Sequence, residues 1–325
     1  MRPLLLLCTS LLLLTSCQKQ GYDRQSLVAM GTVCTIQLPA GTKGQVFDQV
    51  QQTIDAVEAE ISRTRKNSQI ALLNQHKQAR LSDSVLALLQ EGIEIAEKTD
   101  GAFDPAIGAL TSLWGIATEH PRVPTDREIQ EADTDWRHIR IEGNLVTIPP
   151  HMELDLGAIG KGYAADRIKE MLQAQGIFRA LVNLGGNIQA IGEKQEGKPW
   201  VIGLRDPEGA EGQPFITLMV RDRSLVTSGA YERNFTVDGT TYHHILDRNS
   251  GYPAQSDLLS ASIIGPSSTL CDALSTSIFV LGSEKGLALM EAFPAYACVL
   301  MKKDRTLCFS PDFPYSYQLV EQASV

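Results

Sequence analysis

Several features are missing from this 325-residue chain. It has no basic run, and its formal net charge is −9, so the electrostatic footprint of a nucleic-acid-binding protein is absent. None of its six cysteines forms a CxxC pair, which argues against a zinc site and against thioredoxin-type redox chemistry. It has no internal repeat and no low-complexity linker, which favours one compact unit. What is present is ordinary globular composition, 43% apolar and 21% charged, with enough chain to bury a large core.

The N-terminal apolar run, MRPLLLLCTSLLLLTSC, is too short to span a bilayer as a finished helix. Its end, Leu-Thr-Ser-Cys at residues 14–17, fits the bacterial lipobox, in which small residues precede a cysteine that is acylated after cleavage. We therefore predict a lipoprotein signal peptide over residues 1–16, a lipidated tether over 17–27 that begins at Cys17, and a globular domain over 28–325. A plain signal peptide with an incidental cysteine is the alternative.

Periodicity predicts a mixture of strands and helices. Strands are predicted over 30–39, 180–184, 200–204, 216–220, 242–246 and 259–264, with a hairpin that turns at 143–144. Helices are predicted over 46–61, 82–98, 268–280 and 284–292. Two more helices are predicted, one opened by a capping box at 125–128 and one that follows the glycine-rich stretch at 160–162. Hairpins dominate and strict strand–helix alternation is missing, so we predict an α+β fold with a largely antiparallel mixed sheet and packed helices.

The C-terminal hairpin would place Cys298 opposite Cys308 across a turn at residues 302–305. An oxidising compartment would permit a disulfide there. Two small, buried, apolar residues are the alternative.

A lysine between two glycines, Gly160-Lys161-Gly162, follows a short apolar run and precedes an evident helix. A strand, a glycine turn and a helix in this order would direct free N–H groups and a positive dipole end at the turn, which suits phosphate. The stretch is not a Walker A loop, which needs GxxxxGK and then Ser or Thr. Taken alone, it is equally compatible with an ordinary bend that carries a surface lysine.

Two other groups have the chemistry of a site. Asp272 and Thr276 are four residues apart on a predicted helix, with Ser275 nearby, and oxygen-only donors of this kind suit Mg²⁺. An acidic residue favoured by the helix macrodipole is the alternative. His243 and His244, at a predicted strand end, offer a general base near neutral pH, or are structural.

Seven motifs together resemble one family, the FAD:protein FMN transferases, also called ApbE-like lipoproteins. The resemblance runs from about residue 28 to 310, the motifs occur in the family's order, and the lipobox agrees with it. The motifs are AMGT (29–32), GAFDPAIG (101–108), LDLGAIGKGYAAD (154–166), NLGG (183–186), TSGAYERNF (227–235), HHILDRNSGYP (243–253) and CDALSTSIFVLG (271–282).

The resemblance implies an ApbE-like flavin transferase domain over residues 28–325. Such an enzyme uses Mg²⁺ and FAD to attach FMN through a phosphoester to a threonine or serine of a partner protein, with release of AMP. It also implies a lipid-anchored protein of the bacterial cell envelope, on the inner membrane and facing the periplasm. The implied partner is a membrane redox-pump subunit.

Carried over motif by motif, the resemblance implies three kinds of site residue. The metal would be held by Asp272, Thr276 and the carbonyl of Ala158. His244 would be the general base that takes the proton of the acceptor hydroxyl. The predicted FAD contacts are Met30, Ala102, Phe103, Asp104, Asp155, Lys161 and the backbone near Leu246.

One position departs from the family pattern. Many members carry an aromatic residue where this chain has Thr64, in the stretch 62–68. A ring there would cover the bound flavin, whereas a threonine leaves it open to water. This favours, as an alternative, a metal-dependent FAD pyrophosphatase that yields FMN and AMP. A non-catalytic flavin-binding or solute-binding lipoprotein is a third alternative, but a simple binder would not require Asp272, Thr276 and His244.

Overall fold

The computed structural model describes residues 21–116, 118–209 and 212–320. The predicted signal peptide and Cys17 lie outside these residues. Within them, no helix combines the length and the apolar character that crossing a bilayer requires.

The strands are short to medium in length. They are β1 (Tyr22–Ala29), β2 (Thr32–Pro39), β3 (Gln78–Arg80), β4 (Arg140–Glu142), β5 (Leu145–Thr147), β6 (Ala180–Leu184), β7 (Asn187–Ile191), β8 (Trp200–Arg205), β9 (Pro214–Val220), β10 (Arg223–Gly229), β11 (Asn234–Val237), β12 (Thr240–His243), β13 (Leu258–Gly265), β14 (Ala297–Lys302), β15 (Leu307–Phe309) and β16 (Tyr317–Leu319).

Four of the α-helices in the described part of the chain, the first, third, sixth and seventh, are longer than four turns. The α-helices are α1 (Gly44–Ile61), α2 (Gln69–His76), α3 (Asp83–Lys98), α4 (Gly108–Trp114), α5 (Asp126–Glu131), α6 (Gly157–Ala174) and α7 (Ser268–Met290), with a short 3-10 helix at Trp136–His138.

The main sheet has the strand order β1-β2-β6-β7-β10-β13-β14-β15, and every neighbouring pair in it is antiparallel. Smaller sheets have the orders β16-β9-β8, β3-β5-β4 and β11-β12. The predicted α+β fold with a largely antiparallel sheet is therefore confirmed.

The main sheet is covered on both faces. Leu225 and Val226 are neighbours on β10 and point to opposite faces, as strand geometry requires. Val226 belongs to a core cluster that it shares with α7, whereas Leu225 packs with Trp200 and Ile216 of the β16-β9-β8 sheet. Helices α1, α3 and α6 enclose the largest cluster over β2 and β6.

Local sequence signals explain where most helices begin. The Ser82 hydroxyl accepts from the N–H of Val85 at the start of α3, and Thr125 and Glu128 form the predicted capping box of α5. The predicted helices 268–280 and 284–292 lie on either side of a kink in α7, where Gly282 has φ 80°.

Residues 22–27, predicted above as tether, lie in β1, which pairs with β2 along its whole length. Most side chains of β1 are exposed, so the strand lacks the alternation that identifies strands in a sequence. Its start is fixed by Tyr22, whose ring lies 5.0 Å from that of Trp200 and whose hydroxyl donates to the carbonyl of Lys194.

The alternative of a Cys298–Cys308 disulfide is wrong. The register of β14 and β15 pairs Leu300, not Cys298, with Cys308, and both cysteines are free thiols. The predicted turn at residues 302–305 is present, because the N–H of Arg305 donates to the carbonyl of Lys302 at 2.8 Å. Pairing resumes where the N–H of Lys302 donates to the carbonyl of Thr306 at 2.9 Å, and this register places Cys308 opposite Leu300. Cys298 is buried in the core under α7.

Candidate functional site

The stretch Gly160-Lys161-Gly162 lies inside a helix. Because α6 begins at Gly157, the predicted glycine turn between a strand and a helix is wrong. Neither glycine has a positive φ. A Cβ at Gly162 would lie 2.3 Å from the carbonyl oxygen of Ser268, so glycine is required for the close crossing of α6 and α7. Lys161 lies about one turn inside the helix.

The carboxyl group of Asp272 is buried at this crossing. The N–H of Gly162 donates to its Oδ2 at 2.9 Å. In a regular helix that N–H is directed at the carbonyl of residue 158, so the Asp272 carboxylate approaches the same N–H as the Ala158 carbonyl. Burial raises the pKa of Asp272, while the charge of Lys161, the N–H of Gly162 and the amide of Asn187 favour its ionised form.

Hydroxyl groups extend this arrangement along α7. Thr276 lies one turn beyond Asp272, and its Oγ1 is 3.4 Å from the Oγ of Ser228 on β10. The same Ser228 oxygen lies 2.8 Å from the Oγ of Ser275. Ser228 was missed by the sequence reasoning, although it lies in the TSGAYERNF motif.

These donors fit a hard cation. A carbonyl, a carboxylate and neighbouring hydroxyls form the oxygen-only set that Mg²⁺ prefers. In the part of the chain that the structure describes, no group of three or more His, Cys, Asp or Glu residues could hold a metal. A cation here would therefore depend on Asp272, on carbonyl and hydroxyl oxygens, and on its own water.

Another carboxylate, that of Asp166 on α6, holds the start of α7. Asp166 accepts the N–H groups of Ser268 and Thr269, each at 2.9 Å, and the hydroxyls of Ser267 and Thr269. It caps N–H groups that the first turn of a helix leaves without partners. The positions of Asp272 and Thr276 relative to α6 are thereby fixed.

His244 lies just beyond the end of β12 at His243, so the strand predicted over 242–246 begins and ends too late. Its Nδ1 is 3.2 Å from the carbonyl oxygen of Arg233. Donation from Nδ1–H to this carbonyl leaves Nε2 with a free lone pair, the tautomer that a base needs.

The His244 ring is neutral near pH 7. Its surroundings lower the pKa of His244 to about 4, mainly through burial and further through the charges of Lys161 and Arg233. The ring nevertheless remains partly accessible to solvent. His244 therefore lies at the border between the protein interior and solvent.

His243 has a different environment from its neighbour. Its Nδ1 accepts the N–H of Ile245 at 3.3 Å, so its Nε2 carries the proton and donates to the carbonyl of Ala254 at 3.2 Å. Its ring packs edge-on against Phe279, with centroids 5.7 Å apart. Both nitrogens are thus occupied, and His243 is a structural residue.

The positive charge of Lys161 acts on three groups of the site, because it lowers the pKa values of His244, Asp272 and Glu232. Burial raises the pKa of Glu232, and Lys161 opposes that rise. The Oε1 of Glu232 lies 3.9 Å from where a Cβ on Gly186 would be, so the NLGG turn lies beside Glu232. The sequence reasoning did not single out Glu232.

Met30 reaches the site from the turn between β1 and β2, where it adopts φ 51°. Its Cε lies 3.8 Å from the position that a Cβ on Gly160 would occupy. Beside it, the carbonyl of Gly31 accepts from the Arg233 guanidinium at 3.4 Å. This turn therefore joins the start of α6 to the segment that orients His244.

Asp155 stands at the start of α6. Its Oδ1 accepts the N–H of Gly157 at 2.8 Å, and its Oδ2 accepts from Nε of Arg63 at 3.2 Å. Arg63 also donates to Ser112 at 2.8 Å. Arg63 was missed by the sequence reasoning; its only signal was its position beside Thr64.

Thr64 is exposed. Its Oγ1 lies 3.3 Å from the hydroxyl of Ser62. The loop after α1 thus presents a small polar group at this point.

The segment 102–104 runs beside the start of α6, because the N–H of Asp155 donates to the carbonyl of Pro105 at 2.8 Å. Ala102 is partly exposed. Phe103 is 2% exposed and packs in the main core, so its ring is not presented to a ligand and only its backbone is available for contact.

Asp104 is buried and pairs with Arg248, whose Nη1 lies 3.2 Å from its Oδ2. Burial raises the pKa of Asp104 to about 7 and outweighs the opposing effects of the Ala106 N–H and Arg248. Arg248 follows Leu246 by two residues, and Leu246 is buried against Leu110 and Trp114. Thus the segments of Asp104 and Leu246 are linked to each other and, through Pro105, to Asp155.

Comparison with known proteins agrees with this geometry. The ApbE family model matches residues 30–300. The FAD:protein FMN transferase of Treponema pallidum (strain Nichols) is 39% identical over 309 residues, covering 87% of this chain and 85% of that protein. The FAD:protein FMN transferase of Vibrio cholerae serotype O1 is 32% identical over 317 residues, covering 94% and 95%.

Solved structures agree as well. The ApbE protein of Thermotoga maritima superposes with a TM-score of 0.82 at 30% identity, covering 90% of this chain and 98% of that one. The flavin transferase ApbE from Vibrio cholerae superposes with a TM-score of 0.78 at 29% identity and the same coverage. The fold, the ordered motifs and the family match together establish that this chain belongs to the ApbE family.

Proposed function

We propose that the protein is an FAD:protein FMN transferase, which moves the FMN moiety of FAD onto a threonine or serine hydroxyl of a partner protein. The hydroxyl oxygen bonds to the phosphorus of the FMN half, and the bond from that phosphorus to the bridging oxygen breaks. AMP leaves with the bridging oxygen, and the hydroxyl proton passes to Nε2 of His244. The observation that carries this proposal is the His244 ring, which is held by Arg233 with Nε2 free and lies close enough to Lys161 for that charge to lower its pKa, as Lys161 also does for Asp272.

Neutralising charge is the main requirement for breaking a pyrophosphate. Lys161 supplies a cation from α6. Asp272, Thr276 and the carbonyl of Ala158 would hold Mg²⁺, which when bound would offset charge on the phosphate oxygens. Similarity to relatives named FAD:protein FMN transferase supports FAD as the substrate.

The remaining predicted contacts would position FAD. Met30 offers a flexible apolar side chain at the β1–β2 turn, and Asp155 offers a carboxylate that Arg63 already orients. The backbone of the segment 102–104 and of the stretch near Leu246 would extend the binding surface from the start of α6, to which both are linked through Pro105 and Arg248. A ligand with two phosphates and two ring systems would span this surface.

The lipobox supports anchoring through Cys17, with residues 1–16 removed. The mature protein would then sit on the inner membrane and face the periplasm, where the acceptor would be a membrane redox-pump subunit. Wild-type protein should carry acyl mass and partition with membranes, whereas Cys17→Ala should do neither.

One experiment tests the transferase directly. The purified protein is incubated with FAD, Mg²⁺ and a candidate acceptor that bears the target threonine, and the products are read by intact-protein mass and nucleotide chromatography. We expect the acceptor to gain the mass of an FMN phosphoester while AMP appears in equal amount. Absence of AMP under all conditions would leave only a flavin-binding protein and would contradict the proposal.

Hydrolysis of FAD to FMN and AMP is the second candidate, and Thr64 is the observation that favours it. An exposed threonine in the loop after α1 leaves the flavin open to water, which would compete with the acceptor hydroxyl. In the same experiment, AMP together with free FMN and an unchanged acceptor would identify this activity.

A further inference from the structure

Four neighbouring strands of the main sheet, β1, β2, β6 and β7, each have one terminus at the same end of the sheet. Tyr22 at the start of β1 pairs with Pro39 at the end of β2. The β2–β6 register then brings the start of β6, at Ala180, to this end, and Ala180 pairs with Ile191 at the end of β7. We call this end of the sheet, with its connections 39–43, 176–179 and 192–199, the tether end.

The sequence fixes how far the tether end can lie from a lipid at Cys17. The described chain is held from its first residue, because the carbonyl of Gly21 accepts the N–H of Ala40 at 3.0 Å. Cys17 and Gly21 are four residues apart, which spans at most about 14 Å when extended. An acylated Cys17 would therefore keep the tether end close to the bilayer surface.

The surface of the tether end suits phospholipid. Phe178, in the connection before β6, is 61% exposed, and its carbonyl adjoins Gly192 at the end of β7. Exposed aromatic rings are favoured at the boundary between headgroups and acyl chains.

Charge at the tether end is opposite in sign to the charge of the whole chain. Arg221 lies there because the N–H of Asp222 donates to the carbonyl of Gly192 at 3.0 Å. The basic residues at this end outnumber the acidic ones, in a chain of formal charge −9. The three connections carry the basic residues Lys43, Arg179, Lys194 and Lys198 and the acidic residues Glu193 and Glu196.

The candidate site lies at the opposite end of the same strands. Met30 and Gly31 follow the last residue of β1, and the turn at Gly185 lies against Thr32. From Tyr22 to Ala29, β1 rises by seven residue steps, or about 24 Å in antiparallel geometry.

We propose that the tether end rests on a phospholipid bilayer, with Phe178 and its basic neighbours in the headgroup layer. The site then faces the aqueous side, about 24 Å farther from the lipid. This proposal rests on lipid anchoring through Cys17 but not on the chemistry at His244. Acceptor threonines would have to be presented at that height above the membrane.

Site-specific fluorescence on the full-length lipidated protein tests this orientation. In a Cys308→Ser background, whose other described cysteines are buried, Phe178→Cys is labelled with an environment-sensitive dye. The protein is reconstituted into phosphatidylcholine vesicles, with or without phosphatidylglycerol, that carry a spin-labelled lipid. We expect a blue shift and quenching at position 178, with both larger when phosphatidylglycerol is present.

Val28→Cys is the matched control, because Val28 is 78% exposed and lies at the site end of β1. Its label should show the emission of an aqueous dye and little quenching. Lys198→Cys gives a second reporter at the tether end, should Phe178→Cys fold poorly. Quenching at position 28 without quenching at 178 and 198, or no quenching at any of the three, would overturn the proposal. FAD turnover measured on the same samples reports separately on the proposed transferase.

Discussion

The backbone N–H of Gly162 donates to Oδ2 of Asp272 at 2.9 Å, and this hydrogen bond joins α6 to α7 where they cross. The crossing is close because Gly162 has no side chain to separate the helices. The only charged group among the predicted metal ligands thereby approaches the same N–H as the carbonyl of Ala158.

We expect Gly162→Ala to disrupt this crossing. Its Cβ would meet the carbonyl oxygen of Ser268 at 2.3 Å, so the helices must move apart, at a cost of about 1–3 kcal/mol in unfolding free energy. Urea unfolding measures that loss, and Mg²⁺ titration of turnover should show weaker metal affinity. Gly44→Ala is the control, since its Cβ would meet nothing within 4 Å; equal loss in both variants would contradict this explanation.

Asp272→Ala should abolish Mg²⁺-dependent turnover. Removing the one charged ligand would forfeit several kcal/mol of transition-state stabilisation, or about a thousand-fold in rate. Thr276→Ala removes a neutral ligand and should weaken turnover less. Rates are measured by AMP release across Mg²⁺ concentrations, and an Asp272→Ala rate within a few-fold of wild type would exclude Asp272 as a ligand.

Binding and chemistry should separate at Lys161 and His244. Lys161→Ala removes a charge that meets the pyrophosphate before and during reaction, so both FAD affinity and rate should fall. His244→Ala should leave FAD affinity nearly intact and lower transfer by about a hundred- to ten-thousand-fold. His243→Ala should be much milder for transfer, and a larger loss there than at His244 would refute the assignment of the base.

The pH dependence of transfer should reflect the low pKa of His244. Because burial lowers the pKa of His244 to about 4, the ring is unprotonated through the neutral range, and transfer should fall only as the pH drops toward that value. This acid limb of the pH–rate profile should be absent from the residual activity of His244→Ala. A wild-type limb centred near the ordinary histidine pKa, about 6.5, would show that the ring is less shielded than the structure indicates.

Asp104 should make stability depend on pH in the opposite direction to His244. Its folded pKa is raised to about 7, so its contribution is fully present below the unfolded pKa and is lost as pH rises through about 7. His244, with a lowered folded pKa, contributes stability that is lost as pH falls from its unfolded value toward about 4.

The variant Asp104→Asn isolates the first of these effects. The unfolding free energy of wild type minus that of the variant should decrease from about pH 4 to pH 7, by an amount on the order of a few kcal/mol, and then level off. The effect of Arg248 is already contained in the folded pKa of Asp104, because the ion pair forms only with the ionised carboxyl. A difference that rises with pH would mean that Arg248 outweighs burial at this carboxyl.

Thr64→Tyr should shift the products from free FMN to flavinylated acceptor. A ring at this position would cover the flavin and exclude water, and a change of about 1.4 kcal/mol would alter the ratio tenfold. The ratio is read from acceptor mass and free FMN in one reaction. Ser26→Tyr places a ring on the exposed strand β1 as a control, and an unchanged ratio in Thr64→Tyr would remove this loop from the explanation.

Regular periodicity made much of the fold predictable. Val46, Val50 and Ile54 recur at helical spacing, and all are buried on α1. Strand β1 could not be found this way, because it is held by pairing with β2 and by Tyr22 rather than by a buried face. The glycines at 160 and 162 suggested a turn, since a sequence does not distinguish a glycine needed for backbone freedom from one needed for helix contact.

The residues of the candidate site could be predicted where they lie in a motif, but not where only tertiary contacts identify them. Asp272, Thr276 and His244 each lie in a motif, and Lys161 influences the pKa values of His244 and Asp272. Arg63 and Ser228 act through partners far away in the sequence, Asp155 and Thr276. No local pattern encodes such pairs.

The four hydrogen bonds that Asp166 accepts from the start of α7 have a consequence for dynamics. Because these N–H groups are bonded to α6 rather than to water, they can exchange with solvent only when the two helices separate. We expect amide hydrogen exchange at Ser268, Thr269 and Gly162 to share one opening free energy, as a single cooperative unit. The proposed metal ligands would then assemble and separate together, whereas the exposed edge strand β1 would open independently.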